Sequence, residues 1–443
     1  MNTLGLISIL FALALLIYTV YKGLSPLAAA PIAAIIIAAF NNVGLTEGYS
    51  KIYMSGIGAF VTNNFPIYLW GAIVGELYNI SGGAKSIAHS IAKLFKSKNR
   101  EITPLISILI IFVAGTVMSY GGISGIVLMF VLMPLTLEIM KESNIPHYMA
   151  PGVLLGAIAT AALSMPGSPQ IQNSAPPIYL GTTSTAALIP GLIGGAVVLT
   201  FNIVYLNWAA KKEIAEGKGF GEVVLTADNE RKAENKINMP NPILSLVPLL
   251  VTFALYNFAK LYIGFSIIAG IVAAIICFWS QIGSYDIIVK AIGRSVVTAA
   301  HLVMASASLS GFGSVVSATE TFMQFSTALT SINGEPLLIA MASICLITGI
   351  TGSGPAGIGT ALPMFKDTFM AMGINMSALH RISAFSATTF DTLPTNAGYI
   401  AATNLAKAET KQSYKYVGVC TVVNTTIATF VVTILLIVFP WLA

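Results

Sequence analysis

The chain reads as an all-α polytopic membrane protein. Its two halves form an inverted repeat, each with five spans, one re-entrant helical hairpin and one broken helix. Three observations predict this. Hydrophobic residues make up 56% of the 443 residues, charged residues only 9%, and mean hydropathy is +0.83. A soluble chain carries roughly 25% charged residues. Many apolar segments reach the ~20 residues that a bilayer crossing needs. Finally, two apolar segments are interrupted by matching motifs, Ser164-Met165-Pro166-Gly167-Ser168-Pro169-Gln170 running on to Asn173, and Asp391-Thr392-Leu393-Pro394-Thr395-Asn396-Ala397-Gly398. Pro166 and Pro394 lie 228 positions apart, about half the chain. In hydrocarbon, irregular backbone is tolerated only inside protein or around a watery cavity. Paired interruptions in two halves point to the midplane site of a secondary transporter.

Residues 1–210 form the first repeat. Leu4–Val20 has no Lys or Arg before its apolar run and no convincing cleavage site, so it reads as a retained span. Spans near Pro26–Asn41 and Gly56–Tyr78 follow, then an amphipathic stretch, Ala84–Lys98. Residues 102–140 are two short apolar pieces joined at Tyr120-Gly121-Gly122-Ile123-Ser124-Gly125, where glycines permit a sharp reversal. This is the predicted hairpin. The broken helix covers 148–180, and Leu188–Ala210 closes the repeat.

Residues 240–443 repeat this order. Spans fall near Ile243–Ala259, Ile263–Trp279 and Ser295–Val316, and a polar-flecked piece, Ala318–Ser331, follows. The second hairpin is 337–372, turning at Thr351-Gly352-Ser353-Gly354-Pro355-Ala356-Gly357. The second broken helix is 377–402, and Tyr416–Pro440 is last. Residues 211–239 are the only long charged segment and read as a solvated linker.

Five crossings is an odd number, so the second half enters from the opposite face. Charge gives the direction. With both termini outside, the linker is cytoplasmic and only Lys51, Lys260, Lys366 and Arg381 of the 22 Lys and Arg residues fall outside. That asymmetry follows the positive-inside rule. The formal net charge of +5 therefore speaks to orientation. No basic cluster interleaved with aromatics suggests a nucleic-acid partner.

The breaks and hairpin tips expose helix ends inside the membrane. Helix N-termini offer unpaired N–H groups and partial positive charge, a ready site for a carboxylate. Gly121, Gly122, Gly352 and Gly354 let a ligand approach the backbone. Ser124, Ser168, Gln170, Asn173, Ser353, Thr392, Thr395 and Asn396 add neutral polar groups. No Lys or Arg lies in either break or tip, so an anion held by dipoles and hydroxyls is expected. Asp391 lies about fourteen residues into its helix, roughly 21 Å at helical rise and near the middle of the hydrocarbon. A carboxylate there suits proton coupling, and equally suits capping a helix end across the break. Glu76 is expected to reach the interface, His301 to be a satisfied core histidine, and His380 and Arg381 to lie at the outer surface. His89 and His147 fall in segments expected to be solvated.

Thr392-Leu393-Pro394-Thr395-Asn396-Ala397-Gly398, followed by Lys411-Gln412-Ser413-Tyr414, resembles the gluconate permease family of proton symporters. The hydroxybutyrate permease-like branch looks closest. Met165 to Asn173 is similar to the family's first broken helix, and Gly71 to Gly82 also looks familial. The resemblance implies uptake of a small hydroxy- or sugar-acid anion with a proton. It also implies the ion transporter superfamily fold in a bacterial cytoplasmic membrane: a homodimer whose mobile domain carries the site by an elevator movement. Family members often have His where this chain has Thr395, which leaves Asp391 as the main titratable candidate. Sodium can also be coordinated by unwound carbonyls with Ser, Thr and Asn oxygens, so a sodium-coupled symporter is an alternative.

A channel is the rival of another class, since neutral re-entrant loops also build selectivity filters. An integral membrane enzyme would need a metal cluster or a nucleophile–base pair, and neither HExxH nor GxSxG occurs. No P-loop suggests ATP-driven pumping. Cys277, Cys345 and Cys420 lie in apolar segments with no CxxC spacing, so no disulfide framework, metal site or cofactor is expected.

Overall fold

Backbone polar groups in a membrane must be satisfied within the protein, which favours helices. The computed structural model describes residues 3–83, 86–87, 90, 93, 102–120, 125–168, 170–221, 239–259, 261, 263–330 and 333–443, and no strand forms among them. Among the described residues, six helical stretches are long and apolar enough to cross a membrane, and four shorter apolar helices accompany them. Together with an outer surface bearing Leu4, Ile178, Ile243, Phe265, Ile276 and Val297, this describes an integral membrane protein.

Helices α1 (Thr3–Tyr21), α2 (Pro26–Phe40) and α3 (Met54–Ser81) come first. Ser25 caps α2 by accepting from the Leu27 N–H, with Pro26 at the first helical position where no N–H is missed. A π turn, Gly48–Tyr53, leads into α3, and Gly82 ends it in the left-handed conformation at φ 74°. Next come α4 (Pro104–Tyr120) and α5 (Gly125–Glu142), then α6 (Ala150–Ile158). Three short helical turns follow: α7 (Ala161–Ser164), α8 (Ile171–Ser174) and α9 (Pro176–Leu180). Helix α10 (Leu188–Ala215) is long.

Beyond residue 239 lie α11 (Pro242–Asn257), α12 (Ile263–Ile282), α13 (Tyr285–Ser317) and α14 (Glu320–Thr330). Helices α15 (Pro336–Thr351) and α16 (Gly354–Ala371) form a hairpin whose turn is Gly352, left-handed at φ 65°, and Ser353. Helices α17 (Met376–Thr389) and α18 (Ala397–Leu405) are the two parts of a broken helix. Helix α19 (Thr410–Gly418) continues through a π turn, Val419–Val423, into α20 (Asn424–Val438).

These helices pack as a frame and a core. The frame joins α1, α2 and α3 to α11, α12 and α13, with the broadest contact between α3 and α13. Where α13 passes the π turn that leads into α3, a Cβ on Gly311 would lie 2.7 Å from the Tyr53 carbonyl oxygen, so glycine is needed for the backbones to approach. Arg294 on α13 pairs with Glu76 on α3 at 2.8 Å. The core gathers the hairpins, the broken helices, α10 and α20. Frame and core meet where α3 packs on α5 and where α13 packs on α15 and α18. Gly75 on α3 faces the Phe130 carbonyl oxygen so closely that a Cβ would sit 2.9 Å from it.

At the end of α10, Glu213 is buried and accepts from the Tyr148 hydroxyl at 2.7 Å and from Tyr416. Lys415 and Lys218 pair with it at 2.7 and 3.1 Å. His147 is also engaged there, its Nδ1 lying 2.9 Å from the Phe220 carbonyl oxygen. The first residues after α10 are thereby fastened to the start of α6.

Candidate functional site

Each break has a local cause. Proline lacks an N–H and disfavours helical geometry in the residue before it. Met165, before Pro166, is extended at ψ 152°, and Gly167 is left-handed at φ 80°. In the second break Pro394 follows the end of α17, and Asn396 restarts the chain as the N-cap of α18 by accepting from the Tyr399 N–H at 2.9 Å.

The first break is held mainly by its own polar groups and by one arginine. The Ser168 hydroxyl donates to the Ala162 carbonyl at 2.6 Å, and Gln170 Nε2 donates to the Ser119 carbonyl at 2.8 Å. Tyr120, ending α4, donates to the Pro166 carbonyl at 2.9 Å, so this end of the hairpin helix meets the break. Asn173 Nδ2 donates to the carbonyls of Ser168 and Ser184 at 2.8 and 3.0 Å. Arg381, from α17 in the other half, is fully buried. Its Nη1 donates to Ser164 O at 2.5 Å and to Asn173 Oδ1 at 2.9 Å. Its Nε and Nη2 donate to Ala186 O at 3.0 and 2.7 Å, and Nη2 also reaches Ser184 O at 3.3 Å. All five N–H groups of the guanidinium therefore have acceptors, and every acceptor is neutral. Ser164 is the last residue of α7, so the cation sits at the negative end of that turn.

His380 completes this cluster, with Nε2 3.1 Å from Asn173 Oδ1 and Nδ1 2.7 Å from the Thr182 hydroxyl. A neutral imidazole donating at Nε2 and accepting at Nδ1 fits both contacts.

The second break holds an acidic side chain. Asp391 is buried, and its Oδ1 accepts from the Gly354 N–H at 2.8 Å and from Asn396 Nδ2 at 3.2 Å. Gly354 is the first residue of α16, so Asp391 caps a hairpin helix from across the break. Asn396 also donates to the Gly352 carbonyl at 3.2 Å. Thr392 donates to Thr421 in the π turn. A Cβ on Gly354 would lie 2.9 Å from Gln172 Nε2 and 3.2 Å from Asp391 Oδ2, so glycine here leaves room for both breaks to meet the second tip.

The structure thus brings Ser168, Gln170 and Asn173 together around the first break, and Gly352, Ser353, Gly354, Asp391, Thr392, Thr395 and Asn396 around the second. Gly121, Gly122 and Ser124 lie outside the described residues, as do most of Ala84–Lys98, His89 and residues 222–238. Several expected ligand groups are committed to the fold: Ser168, Gln170, Asn173, Thr392 and Asn396 all spend hydrogen bonds holding a break. Ser353 and Thr395 keep their hydroxyls out of any hydrogen bond among the described residues.

Two expectations are corrected. His380 and Arg381 do not lie at the surface; both are fully buried, because the segment after α9 folds back over α17 and supplies the carbonyls of Ser184 and Ala186. His301 is exposed on the outward face of α13 and is not a core histidine. Sequence reasoning missed Gln172 and Arg381 as partners of the breaks. The signal available for Arg381 was a permanent cation within the first turns of a predicted span. A cavity of about 210 Å³ lies elsewhere, at the open end of the second hairpin, bordered by Glu335, Asn375 and Ala443.

No known family model matches the chain. It is 28% identical to an uncharacterized transporter, YxjC, of Bacillus subtilis (strain 168), over 95% of this chain and 96% of that protein. The crystal structure of the Alcanivorax borkumensis YdaH transporter aligns over 88% of each chain at 12% identity and a TM-score of 0.33, too low to bear on the fold. The full-length likeness to YxjC supports a membrane transporter, not an enzyme.

Proposed function

We propose that the protein is a secondary active transporter that imports a small hydroxy- or sugar-acid carboxylate, such as 3-hydroxybutyrate or gluconate, by proton symport. The movement is alternating access of elevator type, the core carrying the site past the frame, in a homodimer of the gluconate permease kind. The two inverted repeats, 1–210 and 240–443, supply one break and one hairpin each to the site.

One observation carries the reading. Asp391 is a buried carboxylate in a helix break, and it caps the tip of the neighbouring hairpin through Oδ1 alone. Neither bond uses Oδ2, so a proton can be taken up there without dismantling the break. Capping and coupling are then one device: the proton state of Asp391 alters how firmly the tip is held. A channel would not need a titratable group in that joint.

A sodium-coupled symporter is the second reading. It is favoured by the hydroxyl of Thr348, buried in the second hairpin without a hydrogen-bond partner among the described residues. Uptake into proteoliposomes, with a panel of hydroxy acids and with pH and sodium gradients imposed separately, tests both. Saturable accumulation driven by the pH gradient is expected. Accumulation driven only by sodium would replace the proton, and non-saturable flux without countertransport would favour a channel.

A further inference from the structure

Among the described residues, the buried acidic and basic side chains are Glu213, His380, Arg381 and Asp391. Glu213 is matched by two lysines at the end of α10, and the neutral tautomer of His380 satisfies its contacts. This leaves one permanent cation and one carboxylate inside the core. They lie ten residues apart on the same broken helix, about 15 Å along its axis. That is too far for an ion pair, yet both belong to the body proposed to move.

We propose that Arg381 is the fixed countercharge that makes proton and carboxylate obligatory partners in one-to-one, electroneutral symport. The inference rests on the transport reading above. Arg381 cannot lose its charge at physiological pH, and its five donors are already occupied by neutral oxygens, so it is not free to grip the substrate. What it contributes is one positive charge wherever the core goes. When the core is empty and Asp391 ionised, the two charges cancel. When a monocarboxylate is bound and Asp391 is protonated, substrate and Arg381 cancel instead. Carboxylate without proton leaves one net negative charge, and proton without carboxylate leaves one net positive charge. A net charge is costly to carry through hydrocarbon, so only the empty and fully loaded cores cross readily.

The other titratable groups facing α17 do not disturb this balance. Tyr120 and Tyr179 are phenols, and Cys345 and Cys420 are buried free thiols. Lys366 and Asp367 lie toward the more exposed end of α16, side by side with opposite charge.

The test uses the intact protein in proteoliposomes, with racemic 3-hydroxybutyrate and gluconate as probes and the membrane potential set by potassium and valinomycin. Uptake driven by the pH gradient is expected to consume one proton per carboxylate. The accumulation ratio should not change when the potential is stepped by about 100 mV, whereas movement of one net charge would change it about 50-fold. A potential-dependent ratio, or a proton count other than one, overturns the countercharge and leaves proton symport standing. Absence of any pH-driven uptake sinks both. Arg381→Gln is expected to lose pH-driven carboxylate uptake, since the loaded core and the ionised empty core then each carry one net negative charge and only the protonated, empty core crosses readily. Arg381→Lys should restore coupling. A folded Arg381→Gln that keeps wild-type pH-driven uptake refutes the role, and if that variant does not fold, a potential-dependent wild-type ratio still overturns it.

Discussion

The two breaks share a Leu/Met-Pro step and an asparagine downstream, yet they are stabilised in opposite ways. In the first, Asn173 offers its oxygen to the cation Arg381, which sits at the carbonyl end of α7. In the second, Asn396 offers its nitrogen to the anion Asp391, which sits at the N–H end of α16. Each charge therefore lies at the helix end of opposite partial charge. The difference is in reversibility. A guanidinium with five satisfied donors is a permanent lock, and it ties the second half's helix to the first half's break. A carboxylate bonded through one oxygen is a joint whose strength changes with a proton. The first break thus reads as the rigid side of the site and the second as the responsive side.

The contrast is tested most severely by removing the lock. Arg381→Met leaves the Ser164, Ser184 and Ala186 carbonyls and Asn173 Oδ1 short of donors. Orphaned buried acceptors on this scale should cost about 3–5 kcal/mol. Fluorescence-detected size exclusion of the heated, solubilised protein should show a large loss of thermal stability. A variant as stable as wild type would show that the cluster is not a lock. Next in size, Asn173→Ala should cost about 2–3 kcal/mol, because it removes two donated bonds and the shared acceptor of Arg381 and His380. Asn396→Ala, which loses a helix cap and a bond to a carboxylate, should cost about 1–2 kcal/mol. If the second variant proves the less stable of the two, the assignment of rigid and responsive sides is reversed.

Both breaks were legible in the sequence because proline and glycine act locally. Pro166, Gly167 and Pro394 dictate where the helix cannot continue, whatever packs nearby. The helix starts read near Pro26 and Ile243 lie within a residue of those observed, and the structure adds side-chain caps from Ser25 and Asn241. The position of Arg381 was not. Its depth was judged by counting along α17, but its burial comes from residues 184–186, almost two hundred positions earlier. His301 failed the opposite way. A lone polar residue in a long apolar helix suggests a buried, satisfied group, and only the packing of α13 against α2 and α3 decides which face turns outward. Asp391 was read correctly as lying in the break, and the sequence allowed it to cap. Which helix it caps required the fold, since Gly354 is 37 residues away.

The responsive side is tested by Asp391→Asn. The side-chain amide keeps an oxygen that can accept from the Gly354 N–H, so the hairpin tip stays joined and the stability change should be under about 1.5 kcal/mol. Titration is abolished. Carboxylate exchange across the membrane should persist, while uphill accumulation driven by a pH gradient should be lost. If accumulation continues to follow the pH gradient, Asp391 is not the essential carrier. If exchange is lost from a protein that remains folded, the carboxylate is needed as a cap or ligand in its ionised form.

The smallest effect on the fold, and the sharpest separation of site from scaffold, is expected at Ser353 and Thr395. Both belong to the responsive side, and neither hydroxyl is spent on a hydrogen bond among the described residues. Ser353 stands at the N-cap of α16 but leaves the capping to Asp391. Thr395 is buried between Pro394 and Asn396. Removing a hydroxyl that bonds nothing in the empty protein should change stability by no more than about 0.5 kcal/mol. If that hydroxyl faces the carboxylate, each loss should weaken substrate binding by about 0.5–1.5 kcal/mol, or roughly 2- to 13-fold. Ser353→Ala and Thr395→Ala, measured by the substrate concentration that protects the protein from thermal aggregation, give the comparison directly. Weakened protection with unchanged melting of the empty protein would put the substrate at the second tip. Unchanged protection in both variants would move it away from the responsive side, toward the first hairpin.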